Sequence, residues 1–324
     1  MDAKDFNILK FAEAGQIPDV VSAANNVLPK DVSAKIIEEI VAANIMRGLV
    51  QQVAVPNRSL SIPRILYGQD VNAYKIAYGV DITTVASEVE FSTKATVLEP
   101  QLVATFTDLL ESDLDTAGMD LAMYIRKALA LNLARAEENA MIQGAAGSGT
   151  GYLTTFDGVY TIANDPSKCA QTPVTYTTSD SLVDKVSDAI KAQGVYGEDR
   201  GRLVVVAANT FANRLRKDDK IAQVGVYNMN ETGITRTGVL PMIHGVRVVE
   251  SSVLETKLGG ECAILMRTDG GIVGQRGDIL LRNRNIIEAF KVRLIMAEAI
   301  DFKWTLYNSA EKALGLTLIK LAGS

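Results

Sequence analysis

Residue type alternates almost without interruption between Ile286 and Leu306. A period of two over so long a run predicts β-structure with one buried face and one wetter face. One uninterrupted strand of this length would span roughly 70 Å, well beyond an ordinary strand. The pattern therefore predicts either a very elongated sheet or a turn with an odd number of residues, which keeps the alternation in phase. Such a ribbon indicates a protein shaped as a tile rather than as a ball around a pocket. The even positions of the run are Ile286, Glu288, Phe290, Val292, Leu294, Met296, Glu298, Ile300, Phe302, Trp304 and Leu306.

Two further alternating segments lie between Pro56 and Glu99. In the second, Val89, Phe91, Thr93, Ala95 and Val97 alternate with charged or hydroxyl side chains. In the first, Tyr78, Val80 and Ile82 alternate with Gly79, Asp81 and Thr83. These segments predict a long β-hairpin. An isolated hairpin is marginally stable in water, and its exposed edges invite pairing. We therefore expect this hairpin to lie on a neighbouring subunit.

The stretch from Gly118 to Gly144 predicts a long helix. At 1.5 Å per residue it would be a rod of about 37 Å, and Gly144 would end it. Acidic residues near its first turn suit the helix dipole. The apolar residues that recur at helical spacing are Leu121, Ile125, Leu129, Leu133, Ala136 and Ala140.

Residues 1 to about 30 resemble an arm. A short helix from Asp2 to Ala14 would carry Phe6, Leu9 and Phe11, and a second helix from Val32 to Met46 would be capped by Asp31.

The region from about 150 to 275 has an α/β pattern and predicts a compact insertion between the long helix and the terminal ribbon. The expected elements are a helix over 179–193 capped by Ser179 or Asp180, a strand over 203–206, a helix from the cap Asn209 to Lys217, a large loop over 218–240, and strands over 246–249 and 263–266.

Composition changes this picture little, but it narrows the class of protein. The chain has 324 residues and a net charge of −5, which argues against a dedicated nucleic-acid binder. The N-terminus lacks the charge order of a signal peptide, and no apolar run is long enough to span a membrane. Cys169 and Cys262 have no metal or redox spacing. We expect a protein made in the cytoplasm, with free thiols and no membrane partner.

No motif predicts a catalytic site or a cofactor. The glycine-rich stretch from Gly144 to Gly151 has Thr150 where a phosphate loop needs lysine. We therefore interpret it as a flexible hinge. His244 is the only histidine, which rules out a two-histidine site, and a turn before Gly245 explains it. The carboxylates of Glu111, Asp113 and Asp115 are explained by helix-end electrostatics rather than by a metal ion. We therefore expect a protein that is not an enzyme.

The order of these elements resembles the Hong Kong ninety-seven-type major capsid protein of tailed double-stranded DNA viruses. Residues 109–113, leading into the helix that ends at 137–144, resemble that family's spine-helix region. Residues 204–209 followed by 215–218 resemble its axial domain, and residues 243–251 resemble its isoleucine–glycine–valine strand. Each motif is weak alone, and their order over some 200 residues carries the resemblance.

The resemblance implies an α+β phage major capsid fold with five parts. These are an N-terminal arm and short helix (1–55), an E-loop hairpin (56–98), a spine helix of the peripheral domain (99–149), an α/β axial domain (150–275), and a peripheral-domain β-ribbon with the C-terminus (276–324). It also implies hexamers and pentamers that close an icosahedral shell around the genome, with the 218–240 loop facing the capsomer centre. The interface residues expected on this basis are Phe6, Leu9, Phe11, Tyr74, Lys75, Tyr78, Tyr227, Asn228 and Arg236.

The same resemblance implies partners and a location. Only about 55 residues precede the hairpin, which leads us to expect a separate scaffolding protein beside the portal and packaged double-stranded DNA. Assembly would occur in the host cytoplasm and end in the virion. Some family members crosslink an E-loop lysine to an asparagine; here Lys75 would be the lysine, with Asn283, Asn285 or Asn308 as partner, although an ordinary solvated Lys75 is the simpler interpretation.

Two alternatives remain open from the sequence. An encapsulin-like nanocompartment shell shares the fold but packages enzymes instead of DNA. An α/β enzyme with an unrecognised site around 144–151 belongs to another class, and it would lose activity when Thr150 or Asp157 is changed.

Overall fold

The computed structural model describes residues 44–66, 78, 92–110, 120–147, 152–218, 242–286, 289–308 and 310–323. Several predictions lie outside these residues. They are the helix over 2–14, most of the helix over 32–46, the tip of the hairpin, and almost all of the 218–240 loop. The described helices are α1 (Ile45–Leu49), α2 (Asp120–Gln143), α3 (Val159–Asn164), α4 (Leu182–Ala192) and α5 (Asn209–Arg216), with 3-10 turns at Tyr152–Thr154, Gly194–Gly197, Arg200–Arg202, Ser252–Thr256 and Leu258–Gly260.

The described strands form two five-stranded sheets and a separate ribbon. The strands are β1 (Gln51–Ala54), β2 (Leu60–Leu66), β3 (Ser92–Leu98), β4 (Gln101–Leu110), β5 (Val174–Tyr176), β6 (Leu203–Ala207), β7 (Arg247–Glu250), β8 (Cys262–Arg267), β9 (Gly271–Gln275), β10 (Leu280–Ile286), β11 (Lys291–Trp304) and β12 (Leu316–Leu321). The first sheet has the order β1-β9-β11-β10, and β4 pairs with β11. The second sheet has the order β5-β12-β8-β6-β7.

The terminal ribbon is a hairpin, and its turn differs from both alternatives that the alternation predicted. β10 and β11 pair antiparallel with Ile286 opposite Lys291, so an even number of residues, 287–290, connects them. The alternation is therefore broken, because Ile286 shares a face with odd-numbered Lys291. Phe290 in this turn has a positive φ of 49°. Within β11 the even-numbered residues from Met296 to Trp304 are buried as predicted, but Ala297, Ala299 and Asp301 between them are buried as well, so this part of the strand lacks the predicted wetter face.

The 56–98 region forms a two-stranded antiparallel ribbon, in which Leu60 pairs with Leu98 and Leu66 with Ser92. The more apolar, odd-numbered face of β3 is the outer one. Ala95 and Val97 are exposed, whereas the even-numbered Thr96 and Leu98 are buried. Leu98 packs with Val55 and Ile272 in a small second core at the base of the ribbon.

The long helix α2 is confirmed, with 24 residues between Asp120 and Gln143. Gly144 follows the last helical residue as predicted, and a larger residue does not fit there because a Cβ would lie 2.4 Å from both the Ala140 and the Phe156 carbonyl oxygens. The backbone at Gly158 approaches equally closely, with a Cβ position 2.5 Å from the carbonyl group of Ile142. The C-terminal end of α2 therefore packs backbone to backbone against the segment that contains Phe156 and Gly158.

The second sheet confirms the α/β pattern of the middle region, but the helix caps differ from those predicted. Asp180 instead accepts a hydrogen bond from the Thr177 N–H, and the Asp218 carboxylate accepts one of 2.7 Å from Leu182 N–H at the start of α4. At the start of α5 the Glu255 carboxylate accepts the Thr210 N–H at 3.0 Å. These remote carboxylates accept free N–H groups in the first turns of α4 and α5, and their charge suits the positive end of the helix dipole.

Three further findings correct predictions that were made from the sequence. Asn44 is extended, with φ −100° and ψ 106°, and its side chain accepts the Arg47 N–H; the predicted helix over 32–46 therefore does not run on through residue 44. The C-terminal strand β12 lies in the second sheet beside β8, rather than with the peripheral ribbon. Strand β9, within the predicted 150–275 unit, lies in the first sheet between β1 and β11.

Candidate subunit interface

One face of the first sheet carries exposed apolar and basic side chains next to each other. Cross-strand partners share a face, and the register places Arg284, Arg293 and Asp108 in one row and Arg282, Ile295 and Phe106 in the next. We call this surface the basic sheet face and define it by its seven exposed or half-exposed side chains, Leu102, Phe106, Asp108, Arg282, Arg284, Lys291 and Arg293. Leu102 is 64% exposed and Phe106 is 59% exposed, which is unusual for large apolar residues near one another.

Arg293 organises the centre of this face. Its guanidinium donates to both carboxylate oxygens of Asp108, at 2.6 and 2.8 Å, and lies 4.6 Å from the centre of the Phe106 ring. The hydrogen bonds from Arg293 hold the pKa of Asp108 below its usual value. Arg284 stands directly across from Arg293, and like charges in that position repel. With four basic residues and one acid, the face has an excess of positive charge that suits an acidic partner.

The opposite side of the same sheet is sealed around a buried ionic cluster. Arg47 of α1 lies between two carboxylates, with its Nε 2.7 Å from Glu137 Oε2 of α2 and its Nη2 2.9 Å from Glu298 Oε2 of β11. All three side chains are at most 1% exposed. Asn44 donates its Nδ2 to the same Glu137 oxygen at 3.1 Å. The cluster therefore ties α1 to both the long helix and the first sheet.

Sequence reasoning missed this cluster. The available signal was Glu298, a charged residue at an even position of a run whose even positions face the core. Its partners are remote in the chain, at positions 47 and 137, so no local spacing joins them. Burial raises the pKa of Glu298, and the Arg47 charge and hydrogen bond only partly oppose that rise.

Two neighbouring carboxylates also make structural contacts. Glu138 accepts the Ser251 hydroxyl at 2.6 Å, and burial raises its pKa. Asp301 of β11 accepts the Glu99 N–H at 2.9 Å, which fixes the base of the ribbon to the first sheet.

Of the predicted interface residues, the structure describes only Tyr78, which is fully exposed. The other eight, Phe6, Leu9, Phe11, Tyr74, Lys75, Tyr227, Asn228 and Arg236, lie outside the described residues. Among the proposed crosslink partners, Asn283 is exposed on β10, and the Asn308 side chain accepts the Lys312 N–H at 2.9 Å. The backbone of Asn285 is placed, in β10 opposite Val292.

In the region suggested for an enzyme site, the structure describes the contacts of Asp157. Asp157 accepts the Ala146 N–H at 3.0 Å and forms an ion pair of 2.9 Å with Lys168. Thr150 lies outside the described residues. His244 has a positive φ of 51° and precedes Gly245, which confirms the predicted turn. Across the part of the chain that the structure describes, no three histidine, cysteine or acidic residues are grouped so as to hold a metal ion. Within the same residues no helix combines the length and the apolar character needed to cross a bilayer.

Solved structures with similar folds are viral and virus-like shells. The chain is similar to a structure of Microbacterium phage Oxtober96, with 14% identity, a TM-score of 0.62, and coverage of 86% of this chain and 91% of that one. It is also similar to the capsid of an empty GTA particle, with 16% identity, a TM-score of 0.61, and coverage of 87% and 90%. A third similar structure is the satellite phage P4 procapsid including the size determination protein, with 12% identity, a TM-score of 0.56, and coverage of 89% and 99%. These similarities show a shared fold.

None of the curated proteins compared with the chain matches it. The model of the phage capsid family does match, over residues 24–265, or about three quarters of the sequence. The chain therefore belongs to the phage capsid family, and it is a major capsid protein that forms an icosahedral shell.

Proposed function

We propose that the chain forms hexamers and pentamers in which the basic sheet face of one subunit receives the 67–91 segment of a neighbour. The exposed arginine row beside Phe106 is the observation that carries this proposal. Large apolar side chains such as Leu102 and Phe106 are unfavourable in water, and an acidic partner would relieve the repulsion between Arg284 and Arg293.

The composition of the 67–91 segment complements that face. It contains four acidic residues and one basic residue, so its net charge is −3. Its aromatic side chains, Tyr67, Tyr74, Tyr78 and Phe91, suit an interface with Phe106 and Leu102, because aromatic residues are enriched in the buried centres of such contacts. Tyr74, Lys75 and Tyr78 thus belong to the proposed contact. Opposite charges would guide encounter and select this segment over others.

The remaining predicted interface residues have separate proposed roles. Phe6, Leu9 and Phe11 in the arm would bury their apolar side chains on neighbouring subunits. Tyr227, Asn228 and Arg236 would contact their counterparts around the capsomer centre. Each contact alone is weak, and the closed shell gains its stability because every subunit repeats them all.

We propose that the shell encloses double-stranded DNA, which enters through a portal, and that a separate scaffolding protein guides assembly in the host cytoplasm. One similar structure is a procapsid that includes a size determination protein, which supports an assembly aided by a second protein. The net charge of −5 suits this role, because a strongly basic inner wall would hold the genome and hinder its release.

Electron microscopy and light scattering on the purified chain test the assembly, over a range of protein and salt concentrations. We expect closed shells, tubes, or free hexamers and pentamers. A homogeneous monomer or dimer under all conditions would contradict the proposal. Particles isolated from infected cells then distinguish the contents: we expect nuclease-protected DNA, whereas a packaged enzyme without DNA would favour the encapsulin-like alternative.

A further inference from the structure

The Arg47–Glu137–Glu298 cluster carries an unbalanced charge in a sealed core. One guanidinium faces two carboxylates, and if both acids were ionised the cluster would hold a net charge of −1 away from water. The geometry does not offset that charge with hydrogen bonds. Glu137 Oε1, Glu298 Oε1 and Arg47 Nη1 are buried without a hydrogen-bond partner among the described residues. The 2.7 Å approach of Arg47 Nε to Glu137 is an ion contact rather than an aligned hydrogen bond.

The two carboxylates are not equivalent. Glu137 has the Arg47 contact and the amide of Asn44, so it is the better stabilised anion. Glu298 has only the Arg47 Nη2 contact at 2.9 Å. Its cross-strand neighbour on β4 is Val103, an apolar residue that is itself buried. Glu298 is therefore the group on which a proton relieves the excess charge at the lowest cost.

We propose that the cluster is a proton-operated latch: with Glu298 protonated it is neutral and holds the 44–50 segment firmly, and loss of that proton to solvent loosens the segment. Arg47 and Asn44 both belong to this segment, so the cluster is its main polar anchor to α2 and β11. An open cleft of about 540 Å³ is lined by Ile45 of α1 and by Arg135 and Glu138 of α2. The first residue of α1 therefore borders open space.

The direction of the pH effect follows from the charge. Burial raises the pKa of Glu298 above its value in an unfolded or opened chain, so the closed state binds the proton more tightly. The stabilisation is fully present below the pKa of the opened state, falls as pH rises towards the raised pKa of the closed state, and is lost above it. The charged groups around Glu298 are Arg47 from α1 and Glu137 from α2, with Glu138 and Arg135 next along α2. Glu138 also has a raised pKa and is the competing candidate for any pH effect here.

Hydrogen exchange of the 44–50 amides tests the latch, measured on the unassembled subunit between roughly pH 5 and 9 and corrected for intrinsic exchange. Two amides report directly: Arg47 N–H, which bonds Asn44 Oδ1, and Val50 N–H, which bonds Met46 O. In the wild type we expect protection to fall by up to about tenfold per pH unit between the pKa of the opened state and the raised pKa of the closed state, and to level off above the raised pKa. In Glu298→Gln protection should stay level across the range, whereas the matched variant Glu138→Gln should keep the wild-type slope.

A wild-type protection that does not change with pH would overturn the latch, as would a slope that survives in Glu298→Gln or vanishes in Glu138→Gln. If Glu298→Gln does not fold, isotope-edited infrared spectroscopy of the wild type replaces it. A protonated-carboxyl band from the glutamates that persists while protection falls, and disappears at the pH where protection levels off, supports the latch. Glutamates that are all ionised throughout the range in which protection falls would overturn it.

Discussion

Replacing Arg47 by methionine is expected to lower the free energy of unfolding of the unassembled subunit by about 3–5 kcal/mol. The substitution removes the only cation from a cluster whose members are at most 1% exposed, and it leaves Glu137 with only the Asn44 amide and Glu298 without its hydrogen-bond donor. Methionine has a similar length and flexibility, so packing is largely kept and the loss reports on charge. Glu137 must then take up a proton or draw water into the core, and either change costs stability.

Denaturant unfolding of the purified subunit measures this loss. Arg293→Met is the matched control, because it makes the same change on the exposed basic sheet face, where solvent screens the pair with Asp108. We expect a far smaller effect from it. Equal losses in the two variants would show that the buried cluster is no more important than a surface pair, and the account of α1 as an anchored segment would then be wrong.

Reversing the charge of Arg282 and Arg284 together is expected to abolish assembly while leaving the subunit folded. Both side chains are exposed on β10, so Arg282→Glu with Arg284→Glu disturbs no buried contact. The altered face would repel the acidic 67–91 segment of the neighbour instead of attracting it. The effect multiplies over the shell because every subunit carries the same defect.

A charge swap makes this prediction specific. Adding Glu88→Lys and Glu90→Lys to the defective chain should restore particles, because the two faces are complementary again. Arg247→Glu, an exposed basic residue on β7 of the second sheet, is the control and should assemble normally. Particle yield by sedimentation and electron microscopy is the measurement. Normal assembly of the double arginine variant, or no rescue by the swap, would contradict the proposed pairing.

The elements that depend on local pattern were predictable from the sequence. The helix from Asp120 to Gln143 and the strands over 203–207 and 262–267 lie within two residues of their predicted bounds. In each of these elements many residues follow the same hydrophobic periodicity. A single charged residue on a buried side, such as Glu137 in α2 or Glu298 in β11, does not change the prediction. The order of these elements was also sufficient to indicate the family.

The sequence predicted faces and turns less well. The four-residue turn at 287–290 was missed because apolar and polar residues alternate in the sequence on both sides of the turn without a change of phase. On β3 the apolar positions face outward, since that face has no partner within the described residues of one subunit. A pattern cannot distinguish burial in the subunit's own core from burial against a neighbour.

Contacts between remote residues were beyond sequence reasoning. The carboxylates of Asp218 and Glu255 cap α4 and α5. Each lies more than thirty positions in sequence from the N–H group whose hydrogen bond it accepts. The ionic cluster joins positions 47, 137 and 298, which come together only when α1, α2 and β11 pack. Local propensity favoured Ser179, Asp180 and Asn209 as caps, and tertiary packing overrode it.

High-resolution cryo-electron microscopy of assembled particles tests the central claim most directly, by showing what covers the basic sheet face. The account predicts the 67–91 segment of a neighbouring subunit there, with its acidic side chains against Arg282 and Arg284 and its aromatic side chains near Phe106. A face open to solvent, or covered by DNA or by a different segment of the chain, would contradict it.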